Sequence, residues 1–119
     1  MTLVRLCGLL ALAATATMPV AAQAHAVLVA SQPALGATVQ PGTVDMTLRY
    51  NSRIDARRSR LTLIRPDESQ AVLRITPGDH EDVLRTKSDL SPGAYVLHWQ
   101  VLAVDGHITR GEVPFTVGP

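Results

Sequence analysis

The chain has 119 residues, of which 46% are hydrophobic, so it has room for one domain and not for a large multidomain enzyme. Its formal net charge is +1, and because Arg5 is the only charged residue among the first 24, residues 25–119 carry equal numbers of acidic and basic groups. This balance gives no electrostatic basis for binding nucleic acid or an anionic membrane.

The N-terminal residues have the pattern of a secretory signal peptide. Arg5 precedes an apolar run over residues 6–14, and the small residues Ala22 and Ala24 follow with one residue between them. The apolar run is shorter than the roughly 20 residues that span a bilayer. We therefore expect export through a membrane and no membrane insertion of the mature chain.

The exact cleavage site decides the chemistry of the mature N-terminus. Three small-x-small sites compete, ending at Ala22, Ala24 and Ala26. The middle site predicts a signal peptide at 1–24 and a mature domain at 25–119 that begins with His25. The alternative is a ragged terminus at which His25 is an ordinary side chain.

The only cysteine, Cys7, lies inside the signal region. The mature chain then has no thiol, so disulfides, thiolate catalysis and cysteine-ligated zinc are excluded.

After the signal, the apolar residues alternate with a period of two, which predicts strands. The clearest runs are 43–50 and 94–103, and the second places Tyr95, Leu97 and Trp99 on one face. Shorter candidate strands are 26–31, 60–65, 70–75, 82–86 and 112–117, separated by turns rich in Pro and Gly. About seven short strands in this length predict an all-β, immunoglobulin-like β-sandwich with Trp99 in its core.

The motif search for catalytic chemistry finds no phosphate loop, HExxH or GxSxG pattern. Four histidines remain as candidate functional residues. His98 alternates with the predicted core face, which favours a solvated or cross-strand role. His80 lies in an acidic turn, where a solvated loop tip is expected and a weak auxiliary metal site is the alternative.

His107 differs from these two because Asp105 precedes it by two residues, and in an extended segment such side chains project from one face. The alternative is that Asp105-Gly106 is a turn dipeptide that His107 merely follows. An N-terminal His25 would add an α-amino nitrogen and a ring nitrogen, which close a chelate ring around one metal. Such groups deprotonate near neutral pH at little cost.

Together His25, Asp105 and His107 offer nitrogen and oxygen donors and no sulfur. This set suits one tetragonal Cu(II) per chain and gives Cu(I) no advantage. Zinc uses the same kinds of ligand and is not excluded by them.

Several short motifs follow one another through the mature chain. In order they are His25-Ala26-x-Leu28, Ser31-x-Pro33-Ala34-x-Gly36, Val44-x-Met46-x-Leu48-x-Tyr50, Pro92-Gly93-x-Tyr95-x-Leu97-x-Trp99-x-Val101, Asp105-Gly106-His107, Gly111 and Phe115-Thr116-Val117. In this order they resemble the bacterial periplasmic copper-resistance proteins of the CopC type.

The resemblance implies a Greek-key β-sandwich that carries copper in the periplasm, often beside an inner-membrane protein that moves copper inward. It also implies Cu(II) ligation by the residues matching His25, Asp105 and His107. Two features depart from many relatives. The mature chain has a single methionine, Met46, instead of a Met-rich Cu(I) segment, and Asn51 follows Tyr50 where some relatives have an acidic residue.

Three functional classes follow. The leading one is a non-enzymatic, monomeric periplasmic Cu(II) carrier or buffer in copper resistance or homeostasis. The second is a copper oxidase or monooxygenase, which needs an exposed aromatic substrate face that four aromatic residues, most of them predicted to face the core, cannot readily form. The third is a metal-free interaction module. An arginine cluster at Arg53, Arg57, Arg58 and Arg60 is expected to be a solvated face, with docking to an acidic partner as the alternative.

Overall fold

The computed structural model describes residues 25–77 and 80–119. The predicted signal peptide lies outside the described residues. Within the described part the chain forms nine strands and no helix, so no helix there could cross a membrane. In chain order these are β1 (Leu28–Gln32), β2 (Thr38–Val39), β3 (Gly42–Tyr50), β4 (Ile54–Ile64), β5 (Gln70–Leu73), β6 (Thr76–Pro77), β7 (Val83–Leu90), β8 (Gly93–Ala103) and β9 (Ile108–Val117).

The strands form two sheets that pack face to face. The four-stranded sheet has the order β1-β3-β7-β6, and the five-stranded sheet has the order β2-β9-β8-β4-β5. The chain changes sheet five times, between β1 and β2, β2 and β3, β3 and β4, β5 and β6, and β7 and β8. Only the short β2 pairs in parallel, with β9, and the other ladders are antiparallel. This architecture confirms the predicted all-β Greek-key sandwich.

The inward faces of β3 and β8 form much of the core, as their alternation predicts. The buried side chains include Val44, Met46, Leu48 and Tyr50 on β3, and Tyr95, Leu97, Trp99 and Val101 on β8. The Tyr50 and Trp99 rings meet edge to face with centroids 5.3 Å apart, an arrangement that aromatic pairs favour. The predicted core position of Trp99 is confirmed.

Strand boundaries differ from the sequence prediction where polar residues break the alternation. Strand β4 begins at Ile54, six residues before the predicted start at Arg60. Asp55 pairs with Leu102 and Arg60 with Gln100, so residues 56–59 bulge out of the ladder. The Ser59 hydroxyl donates to the Asp55 carbonyl and accepts the Leu102 N–H, which bridges this β-bulge.

The sequence prediction also differs from the structure at the end of one strand and in two short strands. Strand β7 extends to Leu90 beyond the predicted end at Thr86, because the polar residues 87–89 interrupt the apolar alternation before Leu90. Strands β2 and β6 have two residues each, too few to show any period, and neither was predicted.

Gly111 on β9 has no Cβ, and the Trp99 ring packs in the space that a Cβ would fill. A Cβ added at Gly111 would overlap the ring, with Trp99 Cε2 only 2.6 Å away and Cζ2 still closer. We expect Gly111→Ala to lower the free energy of unfolding by about 1–3 kcal/mol, because the ring has to leave its packed position. Urea unfolding measures this loss. Thr116→Ala, at an exposed position of the same strand, should stay within about 0.5 kcal/mol, and an equal loss in both variants would contradict the packing argument.

Candidate metal site

The predicted site residues lie at one end of the sandwich, on segments that are distant in sequence. His25 precedes β1, and Asp105 and His107 lie in the turn between β8 and β9. The turn between β3 and β4 reaches the same end, where Val104 N–H donates to the Arg53 carbonyl over 3.3 Å. The fold therefore assembles the site from an N-terminal segment and two interstrand turns.

Asp105 and His107 converge, although the route differs from the extended geometry used in the sequence argument. The segment is a turn, with Gly106 N–H donating to the Ala103 carbonyl over 2.9 Å and Ala103 N–H donating to the His107 carbonyl over 2.8 Å. Gly106 has a φ of 89°, which favours glycine. The Asp-Gly dipeptide is thus a turn, and the turn itself brings the two side chains together.

Both carboxylate oxygens of Asp105 contact His107. Oδ1 accepts the His107 backbone N–H over 3.0 Å, and Oδ2 lies 2.8 Å from His107 Nδ1. The side-chain hydrogen bond from His107 is the largest cause that lowers the Asp105 pKa, followed by its backbone hydrogen bond. Asp105 is therefore a carboxylate at neutral pH, and it fixes the orientation of the His107 ring.

The imidazoles of His25 and His107 touch. Their ring centroids are 4.8 Å apart and their planes cross at 74°. The side chain of His107 is 60% exposed and that of Asp105 25% exposed, so a small ion could reach both from solvent. The structure thus brings together the three residues that the sequence predicts.

The described residues contain no group of three or more His, Cys, Asp or Glu side chains placed to hold a metal ion. Asp105 uses both oxygens on His107, and the main-chain nitrogen of His25 is an amide in the full chain. Direct ligation by Asp105 stays a prediction. The donor set nevertheless fits copper, because nitrogen and carboxylate oxygen suit tetragonal Cu(II).

The other two histidines lie on different elements of the fold from this pair. His98 is exposed on the outer face of the five-stranded sheet, and its Nε2 is 3.2 Å from Glu112 Oε1 on the neighbouring strand. This is the cross-strand role that the alternation favours. His80 is exposed in the loop before β7, where the adjacent Glu81 pairs with Arg53 over 3.3 Å.

Sequence reasoning missed two residues that hold the N-terminal segment. The Thr109 hydroxyl donates to the Ala26 carbonyl over 2.9 Å, and Asn51 Oδ1 accepts the Val27 N–H over 2.8 Å. Neither contact has a signal in the pattern of apolar residues. The position of Thr109, two residues beyond His107, was the only available indication.

The comparisons with known proteins agree with the architecture. A family model described as the CopC domain matches residues 28–118. The chain belongs to the CopC domain family. The resemblance predicted from the motifs is thereby confirmed.

Individual relatives of this CopC-domain chain are distant but cover most of it. The Escherichia coli (strain K12) protein YobA is 27% identical over 112 residues, which are 91% of this chain and 90% of YobA. The crystal structure of CopC from Methylosinus trichosporium OB3b has a TM-score of 0.74 at 26% identity, covering 80% of this chain and 95% of that one.

A third relative supports the fold alone. The crystal structure of PcoC, a methionine-rich copper resistance protein from Escherichia coli, has a TM-score of 0.63 at 24% identity, covering 78% of this chain and 98% of that one. The same fold is therefore present in a protein whose name refers to copper resistance.

Proposed function

We propose that this CopC-domain protein is a non-enzymatic Cu(II) carrier or buffer in copper resistance or homeostasis. The observation that carries the proposal is the contact of His25 with His107, with Asp105 hydrogen-bonded to the His107 ring, at one end of a CopC-type sandwich. Copper is the cargo of this site.

Each residue has a distinct role in the proposed site. Cleavage before His25 would free its α-amino nitrogen, which joins its ring nitrogen in a chelate around copper. His107 supplies a further imidazole nitrogen. Asp105 brings the negative charge that offsets part of the charge of the metal, and in the metal-free structure it holds the His107 ring in place.

The cellular setting is also part of the proposal. A signal peptide at 1–24 would deliver the domain at 25–119 to the periplasm as a monomer, where copper meets the protein outside the cytoplasm. An inner-membrane copper transport protein is the proposed recipient. The exposed position of His107 supports transfer, because a second protein could reach the metal directly.

The oxidation state follows from the donors. Cu(I) prefers thiolate and thioether ligands, whereas the domain contains no cysteine and its single methionine, Met46, is 1% exposed in the core. A Cu(I) site of the methionine-rich kind has no donors here. Cu(II) is the state that the available nitrogen and oxygen atoms favour.

The aromatic residues bear on the enzymatic alternative. All four aromatic residues counted in the chain are buried, namely Tyr50, Tyr95, Trp99 and Phe115. A polysaccharide-oxidising copper enzyme binds its substrate on exposed aromatic rings, which these positions do not offer. This burial favours a carrier over an oxidase or monooxygenase.

A copper titration tests the function. Protein that begins at His25 should bind one Cu(II) per chain, with the d–d absorption of a tetragonal, nitrogen-rich site, and should lose Cu(I) to a strong Cu(I) chelator. Absence of Cu(II) binding would favour a metal-free interaction module. A tight Cu(I) complex that resists the chelator would contradict the donor assignment.

A further inference from the structure

The segment that carries His25 lies beyond the sheet. Strand β1 begins only at Leu28, so residues 25–27 lie outside its ladder with β3. Chain ends without such ladder bonds generally fray unless other contacts hold them. The contact of His25 with His107 therefore needs an explanation outside the sheet.

Thr109 supplies one such contact. Its hydroxyl donates to the carbonyl of Ala26, the residue after His25, and Ala26 is 1% exposed against the core. Thr109 lies on β9, two residues beyond His107. The strand that follows one proposed ligand thus binds the backbone next to the other.

Asn51 supplies a second contact from the turn after β3. Its side-chain Oδ1 accepts the Val27 N–H over 2.8 Å, and its own backbone N–H donates to the Val27 carbonyl over 3.0 Å. This pair of bonds fixes Val27 at two points. Thr109 and Asn51 therefore fix consecutive residues of the N-terminal segment from two directions.

We propose that Thr109 and Asn51 are positioning residues that hold His25 against His107 before copper arrives. The proposal rests on the function proposed above. Neither residue is assigned as a copper ligand. Ordering the segment in advance removes an entropic cost that copper binding would otherwise have to offset, which raises affinity without adding a ligand.

The test compares threonines that make the same kind of bond. Thr109→Val keeps the shape of the side chain and removes the hydroxyl, whereas Thr109→Ser keeps the hydroxyl. Thr86→Val is the matched control, because the Thr86 hydroxyl donates to the Arg74 carbonyl over 2.8 Å on β7, away from the site. Asn51→Ala removes the side-chain bond to Val27 and leaves the backbone bond.

Three measurements on protein that begins at His25 separate positioning from stability. Proton NMR detects the contact between the His25 and His107 rings without metal, chelator competition gives the Cu(II) affinity, and urea gives the free energy of unfolding. We expect Thr109→Val to lose the ring contact and about tenfold in affinity, within the range found for residues that orient ligands. Asn51→Ala should act in the same direction, and the double variant more strongly.

The controls decide the interpretation. Thr109→Ser should retain the ring contact and the affinity, and Thr86→Val should lose stability while keeping both. Retention of ring contact and affinity in Thr109→Val would overturn the proposal, as would an equal loss of affinity in Thr86→Val. If the unaltered protein shows the ring contact but binds no copper, the proposed function fails, whereas loss of the contact in Thr109→Val would still show that Thr109 positions His25.

Discussion

Mature protein that retains one methionine before His25 should bind Cu(II) at least about 10–100-fold more weakly than protein that begins at His25. The added residue keeps every side chain of the site but converts the α-amine of His25 into an amide. An amide nitrogen is a poor ligand until it is deprotonated, so the chelate ring is lost. The new amine is one residue further away and cannot restore the same geometry.

Mass spectrometry of the exported protein establishes whether it starts at His25, and chelator competition then compares the two forms. Urea unfolding of both metal-free forms is the control, since the extra residue lies outside the core. Equal Cu(II) affinity in the two forms would show that the His25 amine is not a copper ligand. It would leave the Asp105 and His107 pair as an insufficient set of donors.

The same titration has an expected pH dependence in the processed form. α-Amino groups in general take up protons around pH 8 and imidazoles around pH 6.5, and these protons compete with copper. The hydrogen bonds from His107 lower the pKa of Asp105, so its carboxylate stays charged through this window. Affinity should therefore fall with falling pH because nitrogen donors are protonated, and protonation of Asp105 should contribute only at still lower pH.

His107→Ala should cost at least about 100-fold in Cu(II) affinity, more than is typical for residues that only orient a ligand. His98→Ala and His80→Ala should change the affinity little. The reason is geometric: His107 lies against His25 and Asp105, whereas His98 pairs with Glu112 on the outer sheet face. Competition titrations of the three variants under identical conditions give the comparison.

Stability provides the control for these histidine variants. His107 is exposed in a turn, so its truncation should change the free energy of unfolding of the metal-free protein by no more than about 0.5 kcal/mol. Similar affinity losses in all three variants would mean that copper binds elsewhere on the surface. A large loss of metal-free stability in His107→Ala would show that the turn, and not only a ligand, has been lost.

The sheets could be predicted because their signal is local. Alternation along β3 and β8 reports one buried and one solvated face, and the structure places these residues as that alternation requires. The bulge at 56–59 could not be read in this way, because its geometry depends on bonds to Leu102 in another strand. The period of apolar residues predicts which face of a strand is buried, but it does not predict where the chain leaves the ladder of hydrogen bonds.

The candidate site was predictable in part for a related reason. Asp105 and His107 are two residues apart, so the turn that unites them is encoded locally in Asp-Gly. The approach of His25 depends on Thr109 and Asn51, whose partners are 83 and 24 residues away in the chain. Donor chemistry and the resemblance to a family pointed to that association, since no pattern within the segment specifies its distant partners.

Under the proposed function, the bond from Thr109 to Ala26 also means that copper binds only after the chain has folded. It joins residues 83 positions apart, so an extended polypeptide in transit through a membrane has no paired histidines to offer. On the proposed assignment, copper is taken up only after export, cleavage and folding are complete. Copper then binds the native state and not the unfolded chain. At a free copper concentration about 100 times Kd, this binding adds about 2.7 kcal/mol to the free energy of unfolding.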